Sequence, residues 1–295
     1  MNTAKEMAYA KINMFLDVIS RRADGFHDLH TVMHQITLHD ELTIHLKASK
    51  VRTIRMFVDG AVHVPVDNRN LAYRAVELYM SHLGVNGAVE IYLKKNIPVG
   101  AGLGGGSADA AAALRAMNRL YKRALSPATL LHLAQTLGSD VPFCLFSKTA
   151  YCSSRGEVMT PVVVPKEFHF VIAIADEFVS TPKAFEALDE KYSGFDGSVS
   201  FGNDGVLTQL LNYLYYPATR EKLLLYNIFE DAVLPMCKGA RKIKKMLSSF
   251  YPLGVLMSGS GPAIYAVFEG MGQAMEARDA LLNAGFRAYY ATSKE

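Results

Sequence analysis

Apolar positions dominate Ala8–Val18, and a polar turn follows at Ser20–Gly25, so the chain opens on a strand. Val32–Leu38, Glu41–Leu46 and Thr53–Val58 read as further strands. Leu71, Ala75, Leu78 and Leu83 then recur near helical spacing across Asn70–Leu83, and Val89–Leu93 returns to alternation. A glycine-rich loop follows, and then an alanine-rich helix from about Ser107 to Tyr121. Ala110, Leu114, Met117 and Tyr121 form its expected buried stripe, and Asp109, Arg115, Arg119 and Lys122 its wet side. Ser126-Pro127 opens another helix, with Ser126 as N-cap and Gly138 as its stop.

A change of composition comes near Pro161–Pro165. Beyond it Phe168–Ala175 reads as a buried strand, with helices around Pro182–Leu188, Val206–Tyr213, Ile228–Leu234 and Ala240–Leu247. Gly254–Met257 and Ala263–Phe268 read as strands and Gln273–Ala284 as a helix. Helices and strands mix without a steady βαβ rhythm, which predicts an α+β protein of two domains, residues 1–162 and 163–295.

Half of the residues are hydrophobic, enough for a core, and the net charge of +3 calls for neither nucleic acid nor an anionic membrane. The densest basic stretch is Lys238, Arg241, Lys242, Lys244 and Lys245. It sits on a helical pattern whose apolar face is Ile243, Met246 and Leu247, so a solvated helix face is expected. Cys144, Cys152 and Cys237 form no CxxC pair, which speaks against a disulfide framework or a zinc site. No apolar run reaches the roughly 20 residues of a membrane span. Lys5, Glu6 and Lys11 interrupt any signal-peptide core, and a cytoplasmic protein is expected.

The richest chemical signal is Pro98-Val-Gly-Ala-Gly-Leu-Gly-Gly-Gly-Ser107. Bare backbone N–H groups there would approach a polyphosphate closely, with the N-terminus of the next helix aimed at it. Gly100-x-Gly102-x-x-Gly105 matches the dinucleotide fingerprint, but that motif wants an acidic residue about twenty positions on. Between Asp109 and Asp140 there is no Asp or Glu. A Walker loop needs Gly-Lys-Ser/Thr, and the chain has no Gly-Lys dipeptide.

The loop instead fits, at every position, the phosphate loop of the GHMP kinases, and the chain resembles that family nearly end to end. Ala10-Lys11-Ile12-Asn13 resembles the family's N-terminal lysine motif, and Ser258-Gly-Ser-Gly-Pro262 its third motif, which packs against the loop. Arg22-Ala-Asp-Gly-Phe-His27, Gly138-Ser-Asp-Val-Pro142, Val179-Ser-Thr181 and Asn227-Ile-Phe-Glu230 are similar to the branch acting on a CDP-linked alcohol. Two positions depart from that pattern: Phe26 stands where tyrosine is usual, and Ser154 where glycine is. The resemblance implies a two-domain fold, with an N-terminal β-rich nucleotide-binding domain and a C-terminal ferredoxin-like α/β sandwich. It also implies transfer of the γ-phosphoryl of ATP to the 2-hydroxyl of a CDP-linked methylerythritol, a step of isoprenoid precursor synthesis.

Roles follow from the resemblance position by position. Pro98, Val99, Gly100, Ala101, Gly102, Leu103, Gly104, Gly105, Gly106, Ser107 and Ala108, with Asn70, would hold ATP. Asn13, Phe26, His27 and Phe185 would hold the CDP-linked substrate, the two phenylalanines by stacking and His27 on the cytosine. Mg²⁺ is expected with ATP, and Ser107 is its candidate ligand. Asp140 would be the base and Lys11 the cation that stabilises developing charge. On the residues alone other readings stay open: Asp140 as a helix N-cap, Lys11 as an edge-strand lysine that snorkels, and His27, His30 and His34 as a metal set, against ordinary polar roles for the last two. A kinase for homoserine, mevalonate or a sugar, and a non-catalytic ligand sensor, also stay open. A monomer or weak homodimer is expected.

Overall fold

The computed structural model describes residues 2–60, 64–146, 148–164, 166–177, 179–192, 203–216 and 223–294, so Pro165, at the expected composition change, lies outside the described residues. Two compact units interleave along the chain. Met1–Ala10, Leu38–Val99 and Gly104–Ser147 form the first, and Lys11–Thr37, Gly100–Leu103 and Lys148–Glu295 the second.

Strands β1 (Asn2–Arg21) and β2 (His27–Lys47) contribute residues to both units. In the first unit they are followed by β3 (Thr53–Asp59), α1 (Leu71–Leu83), β4 (Ala88–Lys94), α2 (Gly105–Leu120), α3 (Pro127–Leu137) and α4 (Val141–Phe146). The sheet order is β3-β4-β2-β1, with β4 antiparallel to β2 and parallel to β3. The runs Val32–Leu38 and Glu41–Leu46, expected as two strands, are parts of the single strand β2. Asp40 is fully buried within it and does not turn the chain, because its carboxylate is occupied by Lys95 and by the N–H groups of Asn96 and Ile97.

Helix ends follow the sequence signals. Asn70 caps α1 by accepting from Ala72 N at 2.9 Å, and Ser126 caps α3 by accepting from Thr129 N at 3.2 Å. Helix α2 is buried nearly all round, and Asp109, expected on its wet side, is buried. Alanines keep α2 slim enough for α1, α3 and α4 to pack around it, and Lys95 supplies a partner for the enclosed carboxylate.

The second unit continues with β5 (Thr149–Ser153), β6 (Val158–Pro161), β7 (His169–Ile174), α5 (Thr181–Lys191), α6 (Asp204–Tyr215) and β8 (Tyr226–Asn227). Then come α7 (Glu230–Val233), α8 (Lys238–Ser248), β9 (Gly254–Met257), β10 (Ala263–Phe268), α9 (Met271–Asn283) and β11 (Arg287–Thr292). The helix expected over Ile228–Leu234 is one α-turn continued by the 3₁₀ turn Leu234–Met236, which contains Pro235. Here β5 pairs with β2 and β8 runs parallel to β1. Strands β11-β7-β10-β9 form a separate antiparallel sheet. Helices α8 and α9 pack on it, the α/β sandwich expected of the C-terminal part. Ile243 and Leu247 of α8 join Ile264, Phe268 and Leu281 in its core. Each such aliphatic side chain contributes roughly 1.5–3 kcal/mol by leaving water. Among the described residues no helix is long and apolar enough to cross a membrane.

Candidate functional site

The glycine loop joins β4 to α2. Gly100, Gly102 and Gly104 have φ of 69°, 80° and 68°, a region that favours glycine. Gly104 is the N-cap of α2, and its carbonyl accepts from Ala108 N at 2.9 Å. The helix therefore starts at Gly105, two residues before the expected Ser107, because the left-handed Gly104 turns the chain into it early. The N–H groups of Gly105, Gly106 and Ser107 open the first turn, where no intrahelical acceptor exists and anions are favoured. Ala108, whose amide is bonded to Gly104, is buried. Val99 is exposed, and Asn70 spends its side chain on the α1 cap and on Pro65 O.

Within the second unit the middle of the loop is held by backbone contacts. Lys11 N donates to Leu103 O at 3.0 Å, Ala263 N to Ala101 O at 3.2 Å, and Ser258 Oγ to Gly102 O at 3.0 Å. A Cβ on Gly102 would collide with the Ser258 carbonyl oxygen. The remaining motifs of this unit converge on the same segment. Asn227 Nδ2 donates to Met257 O and Gly259 O at 2.7 and 2.8 Å, Glu230 Oε1 accepts from Met257 N, and Thr181 Oγ1 lies 2.9 Å from Ser260 Oγ.

Lys11 is buried on β1, so it does not reach water as a snorkelling edge lysine would. Its Nζ donates to Asn13 Oδ1 at 2.6 Å, and Asn13 Nδ2 donates to Thr31 Oγ1 at 2.8 Å. Tyr265 OH fixes this strand by donating to Asn13 O at 2.9 Å. In the first unit, Asp140 directly precedes α4 and its carbonyl accepts from Cys144 N at 3.1 Å, the position of an N-cap residue.

Phe26 leaves the turn between β1 and β2 with half of its surface exposed, its amide donating to Asp24 Oδ1 at 3.1 Å. The Arg155 guanidinium lies 4.0 Å over the Phe26 ring. Ser154, where the family has glycine, takes a φ of 60°, which accounts for glycine being usual there. His27 is buried, donates from Nε2 to Asp189 Oδ1 at 2.9 Å, and stacks on Phe185. Sequence reasoning named Phe26, His27 and Phe185 but missed Arg155, which is far from Phe26 in the chain, and Asp189, which is 162 residues from His27 although it shares α5 with Phe185.

At the root of the loop, Lys95 is buried between two carboxylates that sequence reasoning also missed. Its Nζ donates to Asp109 Oδ2 at 2.7 Å and to Asp40, whose Oδ1 accepts from Asn96 N and Ile97 N at 2.6 and 2.8 Å. Burial pushes the Asp109 carboxyl up to about 8, against the pull of Lys95, and its Oδ1 has no hydrogen-bond partner. Burial works against the Lys95 ammonium, yet the two carboxylates keep its pKa above the usual lysine value.

The histidines do not form a metal set. His34 is buried with Nδ1 2.8 Å from Thr149 Oγ1 and Nε2 3.0 Å from Ser293 Oγ, and burial pushes its pKa down to about 4. His30 meets the Tyr151 ring edge-on. Among the described residues no group of three or more His, Cys, Asp or Glu is placed to hold a metal ion.

The family models described as GHMP kinases N terminal domain and GHMP kinases C terminal match residues 70–148 and 217–288. A 4-diphosphocytidyl-2-C-methyl-D-erythritol kinase of Caldicellulosiruptor saccharolyticus is 35% identical over 279 residues, covering 93% of this chain and 91% of its own. One of Exiguobacterium sibiricum is 40% identical over 262 residues, covering 89% and 88%. A crystal structure of 4-(cytidine 5'-diphospho)-2C-methyl-D-erythritol kinase superposes with a TM-score of 0.80 at 33% identity, covering 98% of each chain.

Proposed function

The chain belongs to the GHMP kinases, and from that premise we propose that it transfers the γ-phosphoryl group of ATP to the 2-hydroxyl of 4-diphosphocytidyl-2-C-methyl-D-erythritol, a step in isoprenoid precursor synthesis. The observation that carries the reading is the bare first turn of α2 behind Gly104, in a chain whose curated relatives carry that kinase name over about nine-tenths of its length.

The substituted reaction is an in-line displacement. The acceptor oxygen bonds to Pγ as the bond to the bridging oxygen of ADP breaks, and the hydroxyl proton leaves to a base. Asp140 is the residue for that proton. Lys11 is the cation for the developing charge on the oxygens, held in orientation by Asn13. A tertiary alcohol has a high pKa, so deprotonation is late and positioning outweighs base strength. Gly100–Gly106 with Pro98, Val99, Ser107, Ala108 and Asn70 would hold ATP, and Asn13, Phe26, His27 and Phe185 the CDP-linked substrate. Mg²⁺ would arrive with the nucleotide and offset phosphate charge. No acidic cluster competes for it among the described residues, and the Ser107 hydroxyl in the first turn of α2 is a suitable hard oxygen ligand. Division at residue 162, a cytoplasmic location and a monomeric or weakly dimeric state complete the proposal.

A coupled assay for ADP release tests it, with 4-diphosphocytidyl-2-C-methyl-D-erythritol, homoserine, mevalonate and free sugars as acceptors. The expected result is turnover with the CDP-linked alcohol alone. Turnover of another alcohol, or single-turnover inertness with all of them, would favour one of the rival readings.

A further inference from the structure

We propose that Asp40, Lys95 and Asp109 are positioning residues that hold the two ends of the glycine loop at the spacing nucleotide binding requires; the proposal rests on the reading of that loop as the ATP site. Three links make the clamp. Asp40 Oδ1 accepts from the N–H groups of Asn96 and Ile97, the residues that lead into Pro98. Asp40 Oδ2 is bonded to Lys95. Lys95 Nζ reaches Asp109 Oδ2, 2.7 Å away on the first turns of the helix that leaves the loop. One end of the loop is thus tied to the other through a strand residue that belongs to neither.

The loop is built around this clamp. A Cβ on Gly105 would stand 3.1 Å from Ile97 Cγ2 and 3.3 Å from Lys95 Nζ, tighter than side chains ordinarily pack. Glycine at 105 therefore makes room for the lysine, independently of any role toward phosphate. All three ionisable groups are nearly or wholly out of water, with relative side-chain exposures of 4% or less. Three ionisable groups are costly to enclose together, and Asp109 Oδ1 has no partner. For stability alone an apolar trio would serve as well or better. What the hydrogen-bonded trio adds is direction: each link fixes a backbone segment, where apolar contacts would let the loop ends slide. Burial favours a proton on Asp109, so a neutral amide is its conservative replacement.

The test compares Asp109→Ala, Asp109→Asn and Asp40→Asn with wild type. ATP binding is measured by calorimetry without acceptor, KM for ATP and for the CDP-linked alcohol by turnover, and folding by thermal midpoint. Misplacing a loop by about 1 Å typically costs up to about 10²-fold. Asp109→Ala and Asp40→Asn are expected to weaken ATP binding and raise KM for ATP about tenfold or more, with KM for the acceptor within about twofold. Asp109→Asn, which keeps an oxygen for Lys95, is expected to recover most of the ATP affinity. Equal ATP affinity in all folded variants, with only the midpoint lowered, would overturn the clamp and leave the kinase reading standing. A wild-type chain that binds no ATP would overturn both. Should Asp109→Ala fail to fold, Asp40→Asn decides by the same two readings.

Discussion

His27 lies flat on Phe185, the ring centroids 4.6 Å apart and the planes 19° from parallel, while Phe229 meets Phe185 edge-on at 4.8 Å. One face of the phenylalanine expected to stack on cytosine is therefore already covered by the residue expected to read cytosine's edge. Phe185→Ala removes a stacking surface and the support of His27 together. Stacking on one aromatic ring is worth about 1–3 kcal/mol in single-strand binders, so KM for the CDP-linked alcohol should rise roughly tenfold or more. KM for ATP should hardly change. His27→Ala should narrow the preference for cytidine over uridine analogues, since a missing edge contact is what separates them. Steady-state kinetics with both analogues checks the pair, and a parallel rise in both KM values with a lower midpoint would make these rings core residues only.

Asp140 occupies an N-cap position, and a cap and a base respond differently to the same substitution. Asn is a good cap and no base. Asp140→Asn should therefore keep the thermal midpoint and the ATP affinity while lowering kcat by about 10²–10⁴-fold. Near-normal turnover in this variant would leave Asp140 with the cap alone.

Gly106 separates steric tolerance from function. It is exposed in the first turn of α2, and a Cβ there would meet only Leu71 Cδ1 at 3.6 Å, an ordinary contact. Replacing a helical glycine by alanine at a compatible backbone angle stabilises by about 0.4–1 kcal/mol. Gly106→Ala should keep or raise the midpoint, yet weaken ATP binding about tenfold or more if phosphate oxygens rest on this turn. Calorimetry and thermal melting on one preparation check both halves. Unchanged affinity would move the phosphates away from α2.

His34 predicts an acid limb in stability. Buried between Thr149 and Ser293, it has a pKa of about 4, against about 6.5 in an unfolded chain. Above pH 6.5 both states hold it neutral and the folded chain carries no penalty. As pH falls through that value toward 4, the unfolded state takes up the proton first, and about 3 kcal/mol of stability is lost. Urea midpoints between pH 4 and 7 should fall less steeply for His34→Gln than for wild type. Identical slopes would show that His34 is not titrating in this window.

The glycine loop, the alanine-rich helix and the cap Ser126 were legible because each is a local signal within a few residues. The clamp was not. Lys95 meets Asp40 at a separation of 55 residues, and Asp109 was assigned to solvent by a periodicity that counts charge as wet. Neither polarity nor spacing reports that a buried cation waits opposite. The continuity of β2 through Asp40 was hidden for the same reason, since an acidic residue between two apolar runs reads as a break. The roles proposed for Lys11 and His27 rest on resemblance; the burial of Lys11, which decides against snorkelling, had to come from the fold. Strand β8 is two residues long and exists because Phe15 and Leu16 offer it a partner, so no local pattern announces it.

The bond between Ser258 Oγ and Gly102 O joins residues 156 positions apart, which sets an order in time for the chain as it is made. At about 5–20 residues per second, the glycine loop leaves the ribosome roughly 8–30 s before the segment that holds its middle. During that interval the loop ends are already within reach of Asp40, Lys95 and Asp109, and Lys11 N can hold Leu103 O, but Ala101 and Gly102 still lack their partners Ala263 and Ser258. Nucleotide affinity should therefore appear late, when translation reaches the Ser258–Pro262 turn, and a nascent chain stalled before it should synthesise the motif without acquiring the site.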